Sequence, residues 1–298
     1  MRWNQVLRAS VAVVAFALTA TACGQQESPG GGSQQPQYPV AENPQFQAGT
    51  TMAALAQAGT IRIGTKFEQP LFGLRGLDGQ MQGFDVEIGK IIAAGLGIAP
   101  DAIKWVEAPS GQREELIKQD KVDLVVATYT INNKRREQIS FAGPYYVAGQ
   151  SLMVKSDNNQ ITGPDSLRST RARVCSVQGS ASADNVLPYI DPTQLTLFDV
   201  YSKCADALRT GQVDVVTTDD SILLGFIDRS NGQFKLAGEP FTDEPYGIGI
   251  SKGDVAFCEF IDNTLTKAAE SGVYTQAWEA TAGKVAGKTP KLPKFDPC

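Results

Sequence analysis

The sequence has 298 residues, 42% hydrophobic and 20% charged, with 27 basic against 32 acidic side chains and a pI near 5.0. That length and apolar content suit about two globular domains, each with its own core, and exclude a disordered or collagen-like chain. The net charge of −5 gives no basic footprint for nucleic acid, and the absence of histidine removes every Ser-His-Asp or Cys-His triad, every histidine metal ligand and the usual acid–base group of neutral pH.

The first ten residues carry Arg2 and Arg8 and no acid, and they lead into VAVVAFALTA and then small residues before Cys23. This pattern predicts a signal peptide over residues 1–22, too short to span a bilayer. Cys23, directly after Thr21 and Ala22, resembles the lipobox cysteine of bacterial lipoproteins, although Ala20 stands where leucine is usual and Leu18 lies further back. The resemblance implies acylation of Cys23 by more than one chain and an exported protein anchored to the outer face of the cytoplasmic membrane. The segment 23–50 reads as a flexible tether, because Gly24–Gln47 is rich in Gly, Gln, Pro and Ser and lacks hydrophobic periodicity.

From Thr51 onward, β-branched runs alternate with helical stretches. IRIG at Ile61 is followed by the amphipathic GFDVEIGKIIAAGLG from Gly83, IKWVEA from Ile103, the charged REELIKQDK from Arg113 and the apolar VDLVVAT from Val122. The alternation resumes with ARVCSV from Ala172, SADNVLP, TLFDV, SKCADALRTGQ and VDVVTTDD, which ends at Asp220. Such an order predicts an α/β fold of two doubly wound lobes with mainly parallel sheets. Ligands of such sheets bind beyond the carboxyl ends of the strands, so the loops after Gly64, Ala127, Val177 and Val216 are expected to face a shared cleft.

Cys175, Cys204, Cys258 and Cys298 remain after the anchor, and an even count in an exported chain predicts two disulfides with three possible connectivities. Sequence order favours Cys175 with Cys204 and Cys258 with Cys298, each closing a loop of moderate length. Neither CxxC spacing nor histidine is available for a zinc site, so no metal is expected.

Three segments in order carry a family resemblance: Gly83-Phe84-Asp85-Val86-Glu87-Ile88 with small and apolar residues through Leu96, TYTINNKRREQISFAGPYY from Thr128, and PYGIGISKG from Pro245. Together they resemble the polar-amino-acid family of bacterial extracellular solute-binding proteins, over about Gly59 to Gly283. GTKFEQP, SGQREELI, FTDEPYGIGI and the cysteines of CSV and SKC are most similar to actinobacterial glutamate-binding lipoproteins. The resemblance implies a type II periplasmic-binding-protein-like fold with a hinge and a ligand cleft. Its first lobe would take residues 51–145 and 247–298 and its second lobe residues 146–246. The GFDVEI helix is read as scaffold with Phe84 and Ile88 facing the core.

The same resemblance implies site roles. Arg135 holds the position that forks onto an α-carboxylate, a geometry suited to a guanidinium, while Lys134 and Arg136 read as solvated charges. Thr128 and Thr130 match ligand hydrogen-bonding positions. Asp219 matches the acceptor of the α-ammonium, with Asp220 the alternative or a cap of the helix SILLGF. Gly179 and Ser180 open a helix after a strand, where free N–H groups attract an anion. Val177 stands where glutamine-binding members often carry lysine, which places more of that work on Ser180. Lys66 and Arg113 fall where acidic-amino-acid binders place cations for the distal carboxylate, and Arg75 either reinforces them or sits on the rim. Phe67, Phe72 and Tyr129 are candidates to line the ligand stem. The implied protein is a monomeric binding module without cofactor that delivers glutamate or aspartate to the permease of an ABC importer. A ligand sensor for a membrane receptor and a dehydratase on the same fold are the alternatives.

Overall fold

The computed structural model describes residues 38–298; the expectations for the leader, for Cys23 and for the tether up to residue 37 lie outside the described residues. Two five-stranded sheets organise the chain. In the first, the spatial order is Ile103–Glu107, Ile61–Thr65, Leu124–Val125, Glu244–Ile250, Ser140–Ala148. In the second it is Leu195–Phe198, Val174–Val177, Val215–Asp219, Gln150–Lys155, Phe234–Leu236. A third, small sheet pairs Glu68–Gln69, Gly73–Arg75 and Met81–Gln82.

The two lobes repeat one plan. In each five-stranded sheet the first three strands are parallel and the last two pair antiparallel, so the sheets are mixed where the sequence pattern predicts mainly parallel ones. The reversal comes from the crossovers. Ser140–Ala148 ends the first sheet and continues through Gly149 straight into Gln150–Lys155 of the second, and Glu244–Ile250 carries the chain back. The exchange therefore falls at Gly149 and ahead of Glu244, where the sequence reading sets it at 145/146 and 246/247.

Hydrophobic periodicity explains the scaffold. Ile61 and Ile63 are fully buried in their strand, and the helix Phe84–Gly95 buries ten of its residues. Gly83 enters that helix at φ +122°, and a Cβ there would meet the Phe72 carbonyl at 2.2 Å, so only glycine permits this approach. Phe84 packs edge-on to Trp278 with ring centroids 5.1 Å apart, which ties the helix to the returning C-terminal helices.

Residues 38–50 depart from the flexible-tether reading. The buried Tyr38 donates to Glu87 Oε2 at 2.7 Å, the Ala41 amide bonds to the Ala94 carbonyl at 2.9 Å, and Phe46 packs edge-on to Phe260. Composition marked the segment as polar, but its two aromatic rings each find an apolar surface on the first lobe.

Disulfides join Cys175 to Cys204 and Cys258 to Cys298. The first ties strand Val174–Val177 to helix Tyr201–Arg209, and the second ties the C-terminus to helix Val255–Glu270. Among the described residues no helix is long and apolar enough to cross a membrane.

Candidate functional site

The lobes meet over a small chamber beyond the carboxyl ends of the strands, as α/β topology dictates. From the first lobe, Arg113, Thr128, Thr130 and Arg135 border it; from the second, Ser180 and Asp219 do.

Three buried cations lie on the first-lobe side. Lys66 follows strand Ile61–Thr65 directly, and its Nζ donates to Ser110 Oγ at 2.8 Å. Burial, with repulsion from Arg113, pushes its ammonium down to about 7, while Glu68 opposes the shift. Arg113 begins helix Arg113–Lys118, donates to the Ala127 carbonyl at 2.9 Å and lies 4.0 Å from the Tyr129 ring centroid. Burial and then Arg135 lower its pKa to about 10, and its Nε is buried without a partner. Arg135 sits on the short helix Asn133–Arg136, whose cap Asn132 accepts from the Arg135 amide at 2.9 Å. Its guanidinium spans the cleft. Nε pairs with Glu114 at 3.3 Å, one terminal nitrogen donates to the Thr130 carbonyl, and the other donates to the Gly179 carbonyl of the second lobe at 3.2 Å.

Thr128 shows how the scaffold sets the site. Its backbone is held at φ +44° by its amide, which donates to Asp85 at 2.8 Å, while its hydroxyl donates to Gln69 at 3.0 Å. Asp85 also accepts from the Tyr145 hydroxyl at 2.6 Å, and burial raises its pKa to about 6. The aspartate of the GFDVEI helix thus orients a loop that faces the chamber, beyond the core role read from sequence.

The second lobe supplies one carboxylate. Asp219 closes strand Val215–Asp219, accepts from the Tyr246 hydroxyl at 2.6 Å and from Ser182 Oγ at 3.3 Å, and no cation offsets it among the described residues. Burial, followed by the charge of Glu244, pushes it up to about 7. Asp220 lies beside it but accepts from the Gly149 and Ser221 amides at 3.3 and 2.6 Å, bracing the crossover instead of the chamber.

Other candidates are placed elsewhere. Arg75 is exposed, 5.7 Å from the half-buried Phe67 ring, and lies outside the chamber. Phe72 is core, 6.0 Å from Tyr246 and 6.2 Å from Phe84. Tyr129 is fully buried beneath Arg113 and Arg135, so it supports the cations and does not line the chamber. Gly179 presents its carbonyl to Arg135, and the Ser180 hydroxyl is engaged as the cap of helix Ala181–Asn185, accepting from the Ala183 amide at 3.0 Å. Lys134 is exposed, as its solvated reading expects, and reaches the exposed Asp184 of the second lobe at 3.6 Å, while the half-buried Arg136 pairs with Asp296 at 2.6 Å.

Sequence reasoning missed Ser110, Tyr201, Thr218 and Ile222, which also border the chamber. Thr218 carried a signal in hindsight. It follows Val215, Val216 and Thr217 on the strand, one position before Asp219, and its hydroxyl is buried without a partner. Tyr201 gave none, because at the start of helix Tyr201–Arg209 it reads as, and is, part of the second-lobe core.

The family model of bacterial extracellular solute-binding proteins, family 3, matches residues 61–280. The chain belongs to that family. Its relatives include the glutamate-binding protein GluB of Corynebacterium efficiens, 34% identical over 91% of this chain and 88% of the relative. The glutamine-binding protein GlnH of Bacillus subtilis is 34% identical over 77% of this chain and 83% of its own. Among solved structures, an ancestral arginine-binding protein bound to glutamine superposes with a TM-score of 0.70 at 31% identity, covering 77% of this chain and 99% of that one. The ancestral amino-acid-binding protein AncCDT-1, a precursor of cyclohexadienyl dehydratase, has a TM-score of 0.69 at 26% identity, covering 77% and 98%. Family 3 membership agrees with the two-lobed architecture and with a chamber between the lobes.

Proposed function

We propose that this chain is the lipid-anchored, monomeric ligand receptor of an ABC importer and that it closes on an acidic amino acid, glutamate or aspartate. The observation that carries this reading is a charge pattern: Arg113 and Arg135 border one side of the chamber with Lys66 buried behind Ser110, to which it donates, and Asp219 is buried on the other side. An acidic amino acid brings two carboxylates and one ammonium. Arg135 takes the α-carboxylate with Thr128 and Thr130 beside it, Asp219 takes the ammonium, and Lys66 with Arg113 takes the distal carboxylate. A neutral amide at that end would leave buried cations unpaired, which is unfavourable. The name of the GluB relative supports an acidic ligand, and that of the GlnH relative supplies the competing amide. The chain does no chemistry on the ligand in this reading.

Calorimetric titration with glutamate, aspartate, glutamine and asparagine tests the reading: the acids should bind at least about tenfold tighter than their amides. Tighter binding of glutamine than of glutamate would overturn it. The anchor is tested by metabolic labelling with a fatty-acid probe, which should mark the wild-type protein and not Cys23→Ala.

A further inference from the structure

The short segment Glu68–Pro70 belongs to the first lobe, yet it seats on two helices of the second. Glu68 Oε2 accepts from the Ser202 amide at 2.9 Å, near the N-terminus of the nine-residue helix Tyr201–Arg209. The first amides of a helix have no partner within it and carry partial positive charge, so an acidic group there is doubly favoured. Val200, the residue that precedes this helix, offers no side-chain cap, and the cap arrives from the opposite lobe. The other oxygen, Oε1, is buried without a partner. Two residues on, the Pro70 carbonyl lies against helix Asp220–Asp228 at Gly225, where a Cβ would come within 2.5 Å of that oxygen. A side chain on Gly225 would therefore hold the lobes apart.

We infer that Glu68 and Gly225 form a closure latch that sets how long the ligand is retained. Neither residue borders the chamber. Both contacts bridge the lobes, so they form as the cleft shuts and break as it opens. Their energy adds to the closed state alone, and the apparent affinity scales with the population of that state. The latch rests on the reading that the lobes close on an amino acid, and it assigns the retention step to residues that do not touch the ligand.

Two variants on opposite lobes test it. Glu68→Gln keeps the shape and removes the charge. Gly225→Ala lies in a helix interior, where alanine favours the helix over glycine, so a purely structural role predicts unchanged or tighter behaviour. By stopped-flow with glutamate, each variant should raise koff about tenfold while kon stays within about twofold, because encounter precedes closure. The melting temperature of ligand-free Gly225→Ala should not fall. A koff near wild type in either variant, or a change confined to kon, overturns the latch. Where wild type binds none of the four amino acids, the functional reading fails instead. The latch is then decided by small-angle scattering of the ligand-free proteins: a larger radius of gyration in both variants supports it, and identical curves overturn it.

Discussion

The Tyr246 hydroxyl, on the strand that carries the chain back to the first lobe, donates to the second-lobe carboxylate of Asp219 at 2.6 Å. Ser221 Oγ lies 2.9 Å from the same hydroxyl. A group proposed to take the ligand ammonium is thereby bonded to a crossover strand, so ligand charge and lobe position share one hydrogen bond. Tyr246→Phe should leave the fold intact and weaken binding by about 1.5 to 3 kcal/mol, the range for a hydrogen bond to a charged group. Asp219→Asn should weaken it at least as much, whereas Asp220→Asn should change the dissociation constant little. The reverse order by calorimetry would transfer the ammonium role to Asp220.

Arg135→Ala removes a charge-assisted fork and also the cross-lobe contact to Gly179. The expected loss is about 2 kcal/mol or more, equal for acidic and amide ligands because both carry the α-carboxylate. Near wild-type affinity would remove Arg135 from the site.

Lys66→Met should act on selectivity. Glutamate loses a charge partner worth about 1.5 to 3 kcal/mol, while glutamine loses little or gains from removal of a buried cation. The ratio of the two dissociation constants is the quantity to measure. A ratio unchanged from wild type would mean that Lys66 does not read the side chain, and Arg113→Met would be titrated next.

Two groups give the binding a pH signature of opposite signs. Asp219 is pushed up to about 7, so below that pH an ammonium must displace a proton, and affinity falls with acidity for every amino acid. Lys66 is pushed down to about 7, so above that pH a distal carboxylate must recruit a proton, and affinity for glutamate falls again. Glutamate should show a maximum near neutrality, with limbs approaching tenfold per pH unit at about two units from it. Glutamine should show only the acid limb. Ligand-free stability follows the same two groups: the raised Asp219 favours the fold at acid pH and loses that contribution as pH rises through about 7. The lowered Lys66 favours the fold at alkaline pH and loses that contribution as pH falls through about 7. A flat glutamate profile from pH 5.5 to 8.5 would show that neither group titrates in the binding range.

The sequence by itself determined the class of this protein. Alternation of apolar runs specifies two α/β lobes, because strand and helix periods are local and each lobe repeats them. Motif register placed Thr128 and Thr130 in the loop after a strand, Arg135 on the short helix that follows and Asp219 at a strand end, where topology brings them to one cleft. An even number of cysteines in sequential order was enough to favour the two disulfides that the structure contains. Tertiary structure alone decided which charges lack partners. Arg75 and Arg113 look alike in sequence, yet one is exposed over Phe67 and the other is buried over Tyr129, because only the packed fold sets the dielectric around a guanidinium. Tyr38 and Phe46 sit in a stretch whose composition reads as linker, and only the presence of a first-lobe surface makes them core and contact residues. Glu68 has the same character: in sequence it is one acid between Phe67 and Gln69, and its contact with the Ser202 amide, 134 positions away along the chain, exists only where the two lobes come together.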